Sequence, residues 1–408
     1  MLVRLRRFTE LEAAGGLVLF AAAVLALVLA NSLLGPAYEA LLDVPVAVQV
    51  SALKIAKPLL LWVNDGLMAV FFMVVGIEVK REFLAGSLSS LRGAATPVIA
   101  AIGGMVMPAL VYIAFTGADP TVIRGWAIPD ATDIAFALGV LALLGPRVPG
   151  SLQTFLLALA IIDDIGAILI IAFVYTEDLS FTALLLAAAG LAALAALNLA
   201  GVTRRSFYML VGLFVWVCVL KSGVHATVAG LLVGFAVPLT AADGTSPSRS
   251  LEHDLHPWVT FGVLPIFAFA NAGVRFADIA LAELVHPVQL GIGLGLLIGK
   301  PLGVVGAIWA AVRLGFGTLP AGARWIHVWG MGALTGIGFT MSLFIATLAF
   351  PLEGYDADIR LAVLLGSAAS AITGYTLLRR AAWPQTRAAR PATGSPAAAV
   401  TGQNTEQP

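Results

Sequence analysis

The chain has 408 residues, 60% of them hydrophobic and only 11% charged, with 23 basic and 23 acidic side chains. A soluble chain carries roughly 25% charged residues, so a soluble globular protein is excluded, and a formal net charge of zero gives no footing for nucleic acid. Cys218 is the single cysteine, which excludes a disulfide within one chain, and the five scattered histidines have no structural-metal spacing. No cofactor is expected. The apolar runs are continuous and not alternating, which predicts an all-α polytopic membrane protein and not a barrel.

In chain order, Arg4, Arg6 and Arg7 precede an apolar stretch in the manner of a secretory signal. Glu10 and Glu12 interrupt that approach, and 15–34 is nearly long enough to span, so it reads as a retained first span. Apolar runs between charged or Pro/Gly-rich joints predict about twelve transmembrane helices: 11–34, 59–79, 95–116, 122–144, 151–175, 181–201, 206–220, 223–239, 257–274, 288–312, 327–350 and 359–382. The basic residues at both ends, with Lys80, Arg81, Arg92, Arg147, Arg204, Arg205, Arg249, Arg313 and Arg324, predict a cytoplasmic side holding both termini. Lys54, Lys57, Arg124, Lys221, Arg275 and Arg360 fall on the other side.

Residues 35–58 form the longest outer joint. Val44, Val46, Val48 and Val50 alternate there, a strand signal. A hairpin at 45–58 has an unpaired edge, and an edge invites a second copy of the chain, so a homodimer through this hairpin is one expectation. The plain alternative is a loop on the membrane surface. Residues 384–408, rich in Pro, Ala, Gly, Thr and Gln, cannot bury a core and read as a disordered cytoplasmic tail. Residues 1–383 are then the transmembrane unit.

The chemistry centres on Asp163 and Asp164, adjacent acids in the apolar run from Phe155 to Val174. An Asp at the centre of a span costs about 2.5–3.5 kcal/mol on insertion scales, and a neighbouring like charge adds to that. Two coupled carboxyls titrate as a unit. Such a pair holds protons near neutral pH, releases them as pH rises, and then offers hard oxygen ligands to a small cation. Lys300 interrupts a Gly/Leu/Ile run just before Pro301 and needs a carboxylate, for which Asp163 or Asp164 is the evident partner. The plain reading of Lys300 is a structural ion pair.

Two further spans carry helix-weakening sequence. One is 128–133, with Pro129, Asp130, Ala131, Thr132 and Asp133; the other is 330–340, with Gly330, Gly332, Gly336 and Gly338. Broken backbone at membrane depth is tolerated only where protein or a cavity covers it. Two interrupted spans, one in each half of a chain, point to a transporter's central site. For the glycines, close helix packing is the alternative.

These stretches, with 63–72, 76–82, 222–227, 251–258, 267–273 and 336–342, run in order over nearly the whole chain up to the tail. Together the chain resembles the NhaA sodium/proton antiporters, a family from which the inverted-repeat rule was itself partly drawn. The resemblance implies twelve spans in two inverted repeats, with two discontinuous helices crossing at mid-membrane. It implies sodium or lithium and protons competing at Asp163 and Asp164, with Lys300 paired to the first acid and Thr132 and Asp133 as polar support. It further implies electrogenic exchange of two protons per cation, for sodium and pH homeostasis, in a bacterial inner membrane. Activation at alkaline pH is also implied, with Glu78, Arg81, Glu252, His253, His256 and His225 matching the family's pH-sensing positions. His286 and His327 read as loop or interface residues. One departure stands out: the family usually has an uncharged residue where this chain has Asp130.

Two rivals use similar parts. A sodium-coupled solute symporter also has broken helices at mid-membrane, but no further polar cluster offers it a solute pocket. An intramembrane aspartyl protease needs two acids on facing helices sharing a proton, whereas the strongest acids here are adjacent on one helix.

Overall fold

A computed structural model describes residues 2–51, 53–117, 119–145, 148–176, 178–241, 244–279, 285–350 and 356–381. The tail expected at 384–408 lies outside the described residues, as does Arg147.

The chain opens with α1 (Leu2–Ala30) and then turns sharply into the short α2 (Gly35–Leu42), the two axes 116° apart. Pro36 at the first turn of α2 supports that start, since a first-turn proline loses no intrahelical bond; this helix was not foreseen inside the outer joint. β1 (Pro45–Val50) and β2 (Leu53–Pro58) follow as an antiparallel hairpin, with Pro45 opposite Pro58 and Val50 opposite Leu53.

The next helices are α3 (Leu59–Trp62), α4 (Met68–Ala85), α5 (Leu91–Thr116), α6 (Ile134–Leu143), α7 (Gly150–Val174), α8 (Phe181–Leu199), α9 (Arg205–Leu220) and α10 (Thr227–Ala236). Then come α11 (Pro247–Trp258), α12 (Leu264–Asn271), α13 (Pro287–Leu294), α14 (Lys300–Arg313), α15 (Trp325–Thr335), α16 (Phe339–Ala349) and α17 (Asp356–Arg380). Among the described residues, seven helical segments are long and apolar enough to cross a membrane, and the bent pairs α1/α2 and α15/α16 raise that to nine. The shorter apolar helices α9 and α10, and the apolar stretch from 257 to the end of α12, complete the twelve expected from sequence.

Among the described residues, three spans contain one wide π-helical turn, at Val63–Leu67, Val259–Val263 and Gly295–Gly299. In two of them a proline stands two residues after the turn, Pro265 and Pro301. A proline has no N–H and its ring crowds the carbonyl four residues back, which falls inside the wide turn in both cases.

Glycines set how closely the helices approach. A Cβ added at Gly103 of α5 or at Gly303 of α14 would land on the other helix's backbone carbonyl, at Gly303 and Gly103 respectively. Small residues of this kind let membrane helices meet backbone to backbone. That contact seats α14, and with it Lys300, deep beside α5.

The basic residues expected on the outer side gather at one end. Lys221 donates to the Lys54 carbonyl (3.0 Å), Arg275 pairs with Glu39 (3.1 Å), and Arg360 donates to the Gly273 carbonyl (3.4 Å). The hairpin is strapped to the helices at the same end: Trp62 donates to Val46 (3.0 Å) and Lys57 pairs with Asp65 (2.6 Å).

Candidate functional site

The fourth and eleventh spans are the broken ones. Residues Ile123–Asp130 form a tight 3-10 helix that Pro129 closes, Ala131 to Asp133 run extended, and α6 starts at Ile134. In the eleventh span, α15 stops at Thr335, and α16 resumes at Phe339 with a 43° bend. The two breaks lie against each other, with the Asp133 N–H donating to the Ile337 carbonyl at 2.6 Å.

Asp133 serves both sides of this crossing. Its Oδ1 accepts from the Phe136 N–H (2.9 Å), capping α6. Its Oδ2 accepts from the Thr340 N–H (3.1 Å) and hydroxyl (2.6 Å), capping α16. One carboxylate thus faces the positive ends of two half-helices. Ser367 of α17 adds a second anchor, accepting from the Gly338 (3.2 Å) and Phe339 (3.0 Å) N–H groups, and Ser342 donates to the Ile128 carbonyl (2.6 Å). Gly338 is required by the close approach, because an added Cβ would lie 3.1 Å from the Ala131 carbonyl and 2.9 Å from Leu296. At Gly336 it would meet the Leu296 carbonyl.

Asp163 and Asp164 project from α7 beside this crossing, each only 1% exposed. Asp163 Oδ2 lies 2.5 Å from the Lys300 ammonium and 2.6 Å from the Thr132 hydroxyl. Thr132 has one hydroxyl proton but two acceptors in reach, the second being the Thr335 carbonyl at 2.9 Å. It therefore serves one of them at a time, or else relays a proton that the Asp163 carboxyl itself carries. Lys300 is fully buried and also donates to the Asp130 carbonyl.

Asp163 Oδ1 and both Asp164 oxygens are buried and make no hydrogen bond among the described residues. Unpaired buried oxygens are rare and call for a cause. Adjacent hard oxygen donors, buried from bulk water, are the donor set a small hard cation prefers. An ammonium already held there marks a position where positive charge is favourable.

The positions expected from the resemblance to sense pH divide between two places. Arg81 pairs with Glu252 and lies 3.6 Å from Glu78 and 3.5 Å from Glu82. His253 is exposed and His256 half-buried on α11, on the same side. His225 stands apart. Its Nε2 is 3.4 Å from Asp65, its Nδ1 2.8 Å from the Thr227 hydroxyl, and its ring meets the edge of Phe344 on α16. Asp65 is sixteen residues before Arg81, about 24 Å along one helix. Of the two histidines read as loop or interface residues, His286 caps α13 and His327 is buried, its Nδ1 accepting from the Arg324 N–H (2.9 Å).

Several polar residues of this framework had no role in the sequence reading. They are Asp65, Ser367, Thr335, and the amide pair Asn64 and Asn271, which exchange hydrogen bonds of 2.9 and 3.4 Å. Each is a polar residue inside an apolar run, the same signal that exposed Asp163.

Comparison with known proteins finds relatives over most of the chain. The family model described as Na+/H+ antiporter 1 matches residues 6–378. A Yersinia pseudotuberculosis serotype O:1b protein described as Na(+)/H(+) antiporter NhaA is 56% identical over 379 residues, covering 92% of this chain and 96% of its own length. Proteins with the same description from Yersinia pestis (55% over 379 residues) and Yersinia enterocolitica (56% over 381 residues) also cover 92% of this chain, and 96% and 97% of themselves. With a family match across nearly its whole length and relatives above half identity, the chain belongs to the Na+/H+ antiporter 1 family.

Proposed function

We propose that this protein exchanges sodium ions for protons across a membrane, with Asp163 and Asp164 as the shared site. The observation that carries the reading is the Lys300 ammonium 2.5 Å from Asp163, beside three carboxylate oxygens without a partner among the described residues, where two broken spans cross. Protonated, the pair is neutral and tolerates burial; ionised, it binds a cation that takes the place of the ammonium. Because one ion or the other is held, proton and sodium movements are coupled. Membership of an antiporter family leaves the symporter and protease rivals without support.

The finer reading is that lithium is also carried and that two protons move per cation, which two carboxylates facing one monovalent ion support. The setting is a bacterial inner membrane with both termini cytoplasmic, supported by the distribution of Lys and Arg. Everted membrane vesicles with an acid interior test the exchange. Sodium and lithium are expected to collapse the gradient, read by a pH-sensitive dye between pH 6.5 and 8.5. If no cation moves protons at any pH while the protein is inserted, the exchange reading falls.

The 45–58 hairpin is the proposed dimer contact, its outer edge being open to a second strand. Deleting 45–57 should convert a detergent-stable dimer to monomer on size exclusion; a dimer of unchanged stability removes the idea.

Regulation by pH is assigned to the cluster of Glu78, Arg81, Glu252, His253 and His256, with His225 at the other end. Burial holds the His256 imidazole below its ordinary 6.5. A lowered histidine contributes stability above its unfolded value and loses it as pH falls through the folded one. His256 thus changes charge only on the acid side of 6.5. His256→Ala should leave the alkaline limb of activity unmoved, and only the acid limb should respond. A double His253→Ala, His256→Ala protein with the wild-type curve throughout removes both histidines as sensors.

A further inference from the structure

A sodium ion that docks on Asp163 takes the oxygens that now hold Lys300. The Lys300 side chain is fully buried, and a buried ammonium stripped of its partner costs several kcal/mol. Asp130 stands ready to receive it. Its peptide carbonyl already accepts a hydrogen bond from Lys300 Nζ. Its carboxyl, on the same residue, is 2% exposed, and both oxygens are buried with no hydrogen-bond partner among the described residues.

The surroundings of that carboxyl narrow its partner further. On one side lies an open, largely apolar groove of about 550 Å³, lined by Met105, Leu110, Ile113, Trp126 and Ile170, which offers the carboxyl few polar partners. The neighbouring phenols are committed elsewhere, Tyr112 donating to the Val122 carbonyl (2.7 Å) and Tyr175 to the Arg124 carbonyl (2.5 Å). A lysine stem is flexible over four carbons and can re-aim its head without moving its helix.

We propose that Asp130 is a positioning residue that takes over the hydrogen bonds of Lys300 when sodium occupies Asp163 and Asp164, so that the ammonium changes partner and is not left without one. This rests on the exchange reading of the site. The handover forms no covalent bond; Nζ leaves Asp163 Oδ2 and meets an Asp130 oxygen. Asp130 acts through Lys300 and does not touch the sodium ion.

The test is sodium binding to the purified full-length protein in detergent at pH 8.5, by calorimetry with sodium chloride against choline chloride. Asp130→Asn should raise the sodium Kd at least tenfold, since the displaced ammonium then loses a charged acceptor. In a Lys300→Ala background the same change should alter Kd less than twofold, because no ammonium remains to be received. Asp130→Ala, checked for folding by thermal melt, must lose at least as much as Asp130→Asn. A Kd within twofold of wild type for Asp130→Asn overturns the proposal. An equal loss with and without Lys300 also overturns it, because Asp130 would then act on sodium directly. Asp164→Asn is the separate control: if that protein binds sodium like wild type, the exchange reading itself has failed.

Discussion

Asp163→Asn and Asp164→Asn each lower sodium-dependent proton movement by more than about 100-fold, roughly 2.7 kcal/mol of lost stabilisation, yet they differ in what they do to the fold. Among the described residues Asp164 makes no hydrogen bond through either oxygen. An Asn of the same shape removes an ionisable group beside Asp163 and breaks no hydrogen bond among the described residues. Asp164→Asn should therefore melt in detergent at or above the wild-type temperature. Asp163 holds Lys300 and Thr132. Removing one partner of a buried ion pair costs about 3–5 kcal/mol, and that is a ceiling here because the Asp130 carboxyl lies one peptide carbonyl away from the same ammonium. Asp163→Asn should melt several degrees lower, and lower still with Asp130→Asn added. An Asp164→Asn protein that exchanges at more than about a tenth of the wild-type rate would sink the assignment of the pair. A wild-type melting point for the Asp163→Asn, Asp130→Asn double variant would sink the ion pair as a stabilising element.

Asp133→Ala should be the most damaging change at the crossing. The side chain caps α6 through Phe136 and α16 through Thr340, and the Thr340 hydroxyl is buried with it. Each lost cap costs about 0.5–2 kcal/mol, and a stranded buried donor adds about 1–3, so a total near 3 kcal/mol is expected. The two half-helices would also lose the charge between their positive ends. Asp133→Asn keeps an oxygen for one cap and should fall between wild type and Ala. Thermal melts of the three proteins in one detergent decide the matter. An Ala variant that melts with the wild type would mean the caps carry no stability.

Much of this was legible before any coordinates. Apolar runs located most of the spans to within a few residues, because a hydrocarbon layer demands unbroken hydrophobic length; α1 begins at Leu2, well before 11, and α4 runs on to Ala85, past 79. The breaks at 131–133 and 336–338 were visible for a related reason: Pro129 and a run of glycines weaken helix where length alone predicts one. Sparsity narrowed the partner of Lys300 to Asp163 or Asp164, since a buried ammonium needs a carboxylate and few candidates exist; the fold selects Asp163. What stayed hidden were contacts between residues ordinary in themselves. Asp65 looks like a polar residue at a span's mouth, and nothing in sequence joins it to Lys57, eight residues away, and His225, one hundred and sixty away. Ser367 sits in a helix of small residues, and only the fold shows its hydroxyl under the start of α16. The sharp turn into α2 was missed because 35–42 is too short for its periodicity to speak.

The wide turn at Gly295–Gly299 has a consequence for how the site tolerates change. An i to i+5 turn holds one residue more than the α-helix around it. Deleting any one residue there would let the span close up as regular α-helix. Four α-helical residues carry the chain round about as far as the five of the wide turn, so the helix beyond would keep its facing. Lys300 is the first residue beyond, and its ammonium would stay aimed at the interior. The surplus residue is thus slack, taken up within one turn: a deletion there is absorbed locally, whereas the same deletion in an unbroken α-helix would turn everything after it by about 100°.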